Sequence, residues 1–190
     1  MNGWYSRGYL PHFDEPNTIQ FITFRLADSM PQSVLQAYAE ALERGEITER
    51  EQWKRIENYL DRGHGACWLK TPAIASMVDS ALRYFDGKRY RLIAWCVMPN
   101  HVHALAEMWE DHPLEEVVHS WKSYTAHQAN KTLGRSGRFW QPEGFDRFMR
   151  STKHLLRTLE YIENNPGTAG LAEQPEDWPY SSARFRSNES

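Results

Sequence analysis

The sequence predicts an α+β fold: a ferredoxin-like antiparallel sheet of the split βαβ type with helices on one face, an elaborated helical crossover and a C-terminal tail. Three observations predict it. Residues 19–26 are rich in β-branched and aromatic side chains, residues 90–98 and 101–108 are apolar runs joined by a Pro99-Asn100 turn, and stretches of helical period lie before and after that hairpin. The order is strand, helices, strand, strand, helix, strand, helix.

The opening segment to Asn17 carries aromatics, Arg7, Gly8 and two prolines without periodicity and reads as an extended arm. Ile19, Phe21, Ile22, Thr23 and Phe24 mark the first strand. Ser29 and Pro31 open a helix with Val34, Leu35, Tyr38 and Leu42 at helical spacing, ending near Gly45. Thr48-Glu49-Arg50-Glu51 is a capping box ahead of a second helix with Trp53, Ile56 and Leu60 inward. Gly63-His64-Gly65 is a loop, residues 66–70 a short extended piece, and Thr71-Pro72 starts a helix that buries Ile74, Met77, Val78, Ala81, Leu82 and Phe85. No flexible linker brackets this helical stretch, so residues 29–85 read as a crossover rather than a second domain. After the hairpin, Pro113 opens a helix with Leu114, Val117, Val118, Trp121, Tyr124 and Gln128 along one side, closed by Gly134. Residues 145–150 form the last strand, Ser151 caps a helix that buries Leu155, Leu159 and Ile162, and Pro166 stops it. The tail, with Trp178-Pro179-Tyr180, is expected to pack back as a lid or brace.

A chain of 190 residues holds one domain with a proper core. No apolar run approaches the roughly 18 residues of a membrane span, and Met1 to Arg7 has no apolar signal core, so no membrane partner and a cytoplasmic location are expected. Cys67 and Cys96 are expected as free thiols, without a Cys-x-x-Cys motif. The net charge of −3 is unevenly spread. Between Trp121 and Thr158, eight basic residues (Lys122, Lys131, Arg135, Arg138, Arg147, Arg150, Lys153 and Arg157) face only Glu143 and Asp146. Interleaved with Trp121, Tyr124, Phe139, Trp140, Phe145 and Phe148, this is the composition of a surface for phosphates and unstacked bases.

His101 and His103 are two apart on a strand, so both imidazoles share one face while Val102 points into the core; two such imidazoles can hold one divalent cation. On the final helix Arg157, Tyr161 and Asn165 recur every four residues, a stripe about 100° from the one that carries Ile162. Where that stripe meets the sheet edge at the histidines, a site would hold two imidazoles, an amide oxygen, a phenol and a cation. Such a site suits attack of a phenolate on a phosphodiester. Ionising a phenol of pKa near 10 at pH 7 costs about 4 kcal/mol, within reach of a divalent cation. The same spacings are met if Tyr161 packs under the tail and Asn165 caps its helix.

Met98-Pro99-Asn100-His101-Val102-His103, Trp121-Lys122-Ser123-Tyr124-Thr125, Gly137-Arg138-Phe139-Trp140 and Tyr161-Ile162-Glu163-Asn164-Asn165-Pro166 together resemble the REP-associated tyrosine transposases, relatives of the single-strand insertion-sequence transposases of the HUH class. The resemblance runs from about Gly8 to Ala183. It implies that His101 and His103 hold Mg²⁺ or Mn²⁺, that Tyr161 is the single nucleophile, and that Asn165 matches the third metal ligand, a glutamine in the wider class. It implies a substrate of single-stranded DNA from palindromic extragenic repeats, folded as a hairpin, cleaved to a 5′-phosphotyrosine and a free 3′-hydroxyl by a monomer. The expected organisation is one HUH-like domain over 1–190: a catalytic core at 18–166, the crossover elaboration at 29–85 and a tail at 167–190. Lys122, Arg138, Lys153 and Arg157 are the expected phosphate contacts.

Tyr124 is a rival nucleophile, but it lies with Val117 and Trp121 on a stripe that reads as buried. A zinc hydrolase using a third histidine lacks a His-Glu-x-x-His motif. The alternative outside enzymology is a non-catalytic RRM-like nucleic-acid-binding module, which shares the element order but needs exposed aromatics in an RNP pattern, and residues 90–108 carry none.

Overall fold

A computed structural model describes the backbone of residues 3–6, 11–14 and 17–188 and the side chains of residues 17–186. β1 (Gly3–Ser6) and β2 (Pro11–Asp14) pair antiparallel as a ribbon of their own, so the expected arm folds back on itself; Arg7 and Gly8 lie outside the described residues. β3 (Ile19–Arg25), β4 (Tyr90–Val97), β5 (His101–Met108) and β6 (Phe145–Phe148) form an antiparallel sheet in the order β4-β5-β3-β6. That is the split βαβ order the sequence predicts, in an α+β fold.

Among the described residues five α-helices complete it: α1 (Gln32–Glu43), α2 (Glu49–Asp61), α3 (Pro72–Arg83), α4 (Leu114–Thr132) and α5 (Thr152–Thr168). Local chemistry sets their starts. Thr48 and Glu51 make the capping box of α2, and the Ser151 hydroxyl accepts from the His154 amide at the head of α5. Residues 68–70 are a 3-10 turn rather than an extended piece, entered through Cys67 in the left-handed region at φ 50°. α5 also runs through Pro166 instead of stopping there. Pro166 lies in the last turn, where its missing N–H forfeits a single helical bond, and the end is closed by the amides of Ala169 and Leu171 on the carbonyls of Asn165 and Pro166.

The expectation of helices on one face is corrected. α3 and α4 cover one side, packing Val78, Leu82, Val117 and Trp121 on Phe24, Val97, Val102 and Ala104. α5 covers the other, setting Ile162, Leu155 and Leu159 against Phe21, Ala94, Cys96 and Leu105, with Trp53 of α2 beside them. The cause is in the strands: Phe21 of β3 and Leu105 of β5 lie on the pleat opposite Ile22, Phe24, Val102 and Ala104, so both faces carry apolar side chains to remove from water. An RRM-like module needs one face open for stacking bases, and neither face of β3 or β5 is open here.

The tail is a brace, not a lid. Trp178 Nε1 donates to the Val97 carbonyl at 3.0 Å, the Val97 amide donates to the Tyr180 carbonyl at 2.9 Å, and the Trp95 amide donates to Ser182 Oγ at 3.1 Å. These bonds cover the open edge of β4. The Arg186 guanidinium then reaches Glu163 of α5 at 2.6 Å, tying helix and tail together. Cys67 and Cys96 are free, and both are buried. Among the described residues no helix is long and apolar enough to cross a membrane.

Candidate active site

The site starts at the β4–β5 turn. The loop of residues 63–67 packs beneath it because Gly65, at φ +86°, comes so close to Asp28 that a Cβ there would stand 2.6 Å from the Asp28 carbonyl oxygen. This places the His64 carbonyl to accept from Asn100 Nδ2 at 2.9 Å. The Asn100 amide is thereby oriented, and its Oδ1 faces His101 Nδ1 at 2.8 Å. An amide oxygen can only accept, so Nδ1 carries the proton and His101 Nε2 keeps a lone pair. His103 Nδ1 meets Thr23 Oγ1 at 2.8 Å, and its ring stacks on Phe21. The two Nε2 atoms then face each other at 3.1 Å, fully buried. Burial, with His103 beside it, holds the His101 pKa well below the ordinary range, so this imidazole stays neutral.

Oxygen donors surround this pair. Glu57 Oε2 lies 3.2 Å from His103 Nε2, and Asp61 Oδ1 lies 3.8 Å from His101 Nε2. The donor atoms of Glu57, His101 and His103 all fall within 4.8 Å of one another. Asn165 Nδ2 is 3.4 Å from His103 Nε2, while its Oδ1, like Asp61 Oδ1, is buried without a hydrogen-bond partner. Two imidazole Nε2 atoms facing each other, a buried carboxylate and two orphaned buried oxygens fit a divalent cation, and the Glu57/His101/His103 cluster can hold one.

Tyr161 comes from α5, one turn before Asn165, as the stripe predicts. Its hydroxyl donates to Glu57 Oε2 at 2.6 Å, and its ring stands edge-on to His103 with centroids 5.5 Å apart. Burial and then the Glu57 charge push this phenol far above its ordinary value of 10. The stripe meets the sheet on the face of the interior strand β5 rather than at an edge.

The four expected phosphate contacts divide. Lys153 and Arg157 are exposed on α5 and line, with Tyr161, a cleft of about 430 Å³. Lys122 is on α4, across the sheet, where Nζ donates to the carbonyls of Gln141 and Pro142 at 2.6 and 2.7 Å. Arg138 is exposed in the loop after α4. Tyr124 is 53% exposed instead of buried: the buried stripe of α4 runs through Val117, Trp121, Thr125 and Ala129, which leaves Tyr124 about 100° to one side. Glu57 and Asp61 are the residues the sequence reading missed. The available signal was Glu57 itself, a carboxylate four residues after Trp53 and three before Leu60 on the apolar stripe of α2.

Comparison with known proteins follows the same residues. The family described as transposase IS200 like matches residues 68–165, just over half of the chain, taking in His101, His103, Tyr161 and Asn165 and leaving out α2. A Haemophilus influenzae protein assigned as a REP-associated tyrosine transposase is 28% identical over 103 residues, covering 49% of this chain; the matched region spans 58% of that relative's length. A solved structure of a REP-associated tyrosine transposase bound to a REP hairpin shares the fold, with a TM-score of 0.58 and 18% identity over 97% of this chain and 85% of that one. With the motif residues of the match gathered at one buried cluster, the chain belongs to the IS200-like transposase family.

Proposed function

We propose that the protein is a metal-dependent single-strand DNA endonuclease and strand transferase that acts on REP-type hairpins through a 5′-phosphotyrosine intermediate. The observation that carries this reading is the meeting of Tyr161 and Asn165 of α5 with His101 and His103 of β5 in one buried cluster. Tyr161 Oη attacks the scissile phosphorus; the O–P bond forms as the bond to the 3′ oxygen breaks. The phenol proton passes to Glu57 Oε2, which already accepts its hydrogen bond, and the leaving 3′ oxygen takes a proton from water. Attack by another 3′-hydroxyl reverses the step and joins a new strand, so no nucleotide energy source is needed.

His101, His103 and Asn165 Oδ1, with Glu57, would hold Mg²⁺ or Mn²⁺; when bound, the ion supplies positive charge against the phosphate. Asn100 and Thr23 fix the imidazoles so that both Nε2 atoms face that ion. Lys153 and Arg157 take phosphates beside Tyr161, and Arg138 is left to more distant ones. The proposed organisation is a catalytic core at 18–166 with its crossover at 29–85 and a tail at 167–190, working as a monomer on the DNA of a bacterial cytoplasm.

Incubation with labelled hairpin DNA and Mn²⁺ tests the reading. A denaturation-stable adduct is expected for the wild type and none for Tyr161→Phe, with hairpin binding retained. Full adduct formation by Tyr161→Phe would overturn it.

A further inference from the structure

We infer that the cleft between α2 and α5 binds the unpaired nucleotide next to the scissile phosphate, with its base against Trp53 and Phe145 and the following phosphate among Arg50, Arg147 and Arg157. This rests on the strand-transfer reading above.

The cleft is about 430 Å³, and Tyr161 is part of its wall, so whatever fills it lies beside the nucleophile. Its cations come from three elements: Arg50 from α2, Arg147 from β6, and Lys153 and Arg157 from α5. All four are exposed, no acidic side chain lines the cleft, and among the described residues none of the four is in an ion pair. Unpaired like charges gathered from separate elements repel one another and are relieved by an anion. The floor is aromatic. Trp53 and Phe145 have ring centroids 6.1 Å apart at 35°, and Trp53 and Tyr161 have theirs 5.6 Å apart at 59°.

A simple anion has no use for that floor, whereas a nucleotide presents a flat base and a phosphate together. A base inside a duplex stem has no free face, so the occupant is the single strand beside the hairpin. Arg50 and Trp53 belong to α2, outside the residues that match the family, which makes this half of the cleft a feature of the helical crossover.

The test is a double-mutant cycle between protein and DNA. Binding of hairpin oligonucleotides carrying an abasic site at either position flanking the scissile phosphate is measured by anisotropy for the wild type and Trp53→Ala. For the wild type, one abasic site should weaken binding on the order of 10-fold; in Trp53→Ala the same lesion should add nothing. Arg50→Ala and Arg147→Ala replace exposed side chains and leave the fold intact. Each should make the salt dependence shallower by roughly 0.7 in log–log slope, an effect abolished by a methylphosphonate at the adjoining phosphate. Equal abasic penalties in both proteins, or unchanged slopes in both arginine variants, would overturn the assignment, and the arginines decide if Trp53→Ala does not fold. Adduct formation in the same reactions separates the two levels: a normal wild-type adduct without coupling removes only the cleft assignment, whereas no adduct removes the strand-transfer reading and the cleft with it.

Discussion

The Tyr161 hydroxyl and the Glu57 carboxylate, 104 positions apart in the chain, share a 2.6 Å hydrogen bond, and the same Glu57 oxygen stands 3.2 Å from His103 Nε2. One carboxylate therefore joins the proposed nucleophile to the proposed cation site.

Glu57→Gln keeps the shape and removes the charge. Mn²⁺ affinity should fall about 10- to 100-fold, because the hard cation loses its anionic oxygen donor. Adduct formation should slow by about 10²-fold or more, because glutamine cannot take the phenol proton. Calorimetric titration and single-turnover adduct kinetics check the two effects, and wild-type values in both would reduce Glu57 to a packing residue.

His101→Ala and His103→Ala should each abolish measurable Mn²⁺ binding, since either change removes one of two imidazole donors. Asn100→Ala should weaken binding about 10- to 100-fold without touching the ion, because nothing then fixes the proton on His101 Nδ1. Calorimetry on the three variants checks this order. Equal affinity in Asn100→Ala and wild type would mean that the tautomer is set elsewhere.

The parts of this site legible in the sequence are those governed by short periods. The two-residue spacing put His101 and His103 on one face, and the four-residue spacing put Tyr161 and Asn165 on one stripe. Those rules act within single elements, and the ferredoxin-like strand order added only that the elements meet. Glu57 and Asp61 were not legible, because α2 reaches the histidines through tertiary packing of a crossover with no local rule to place it. The paired coverage of the sheet was overlooked for a related reason: Phe21 and Leu105 alternate with Ile22 and Ala104 of the opposite face, and on β5 Leu105 shares its pleat with two histidines and Glu107, so little in the sequence marks that face as covered. The carbonyl partners of Lys122 were not legible either, since an ammonium on a basic stretch looks the same in sequence whether it meets phosphate or two loop carbonyls.

Asp61 gives the site a pH signature. Burial, then the neighbouring Glu57 charge, push its carboxyl from 3.8 up to about 6, against a smaller opposing effect of His103. A carboxyl raised by folding contributes stability that is complete below the unfolded value and is lost as pH rises through the folded one. Metal-free wild type should therefore lose stability relative to Asp61→Asn between about pH 4 and pH 6.5, by on the order of 2 kcal/mol. Denaturant unfolding of both proteins across that window checks it; a constant difference would show that the carboxyl is not raised.

Salt titrations separate the lysines that the sequence treated alike. Lys153 and Arg157 are exposed beside Tyr161, so Lys153→Ala and Arg157→Ala should each make the slope of log K against log salt shallower by roughly 0.7, with preference among hairpin sequences little changed. Arg157→Ala should also slow adduct formation at saturating DNA, because that side chain lies one turn before Tyr161. Lys122 already spends its donors on Gln141 and Pro142, so Lys122→Ala should leave the slope near that of the wild type and instead lower thermal stability by about 1 to 2 kcal/mol through release of the loop before β6. Binding isotherms at several salt concentrations and thermal unfolding of the three variants check the division. A shallower slope in Lys122→Ala with unchanged melting would return that lysine to the DNA surface.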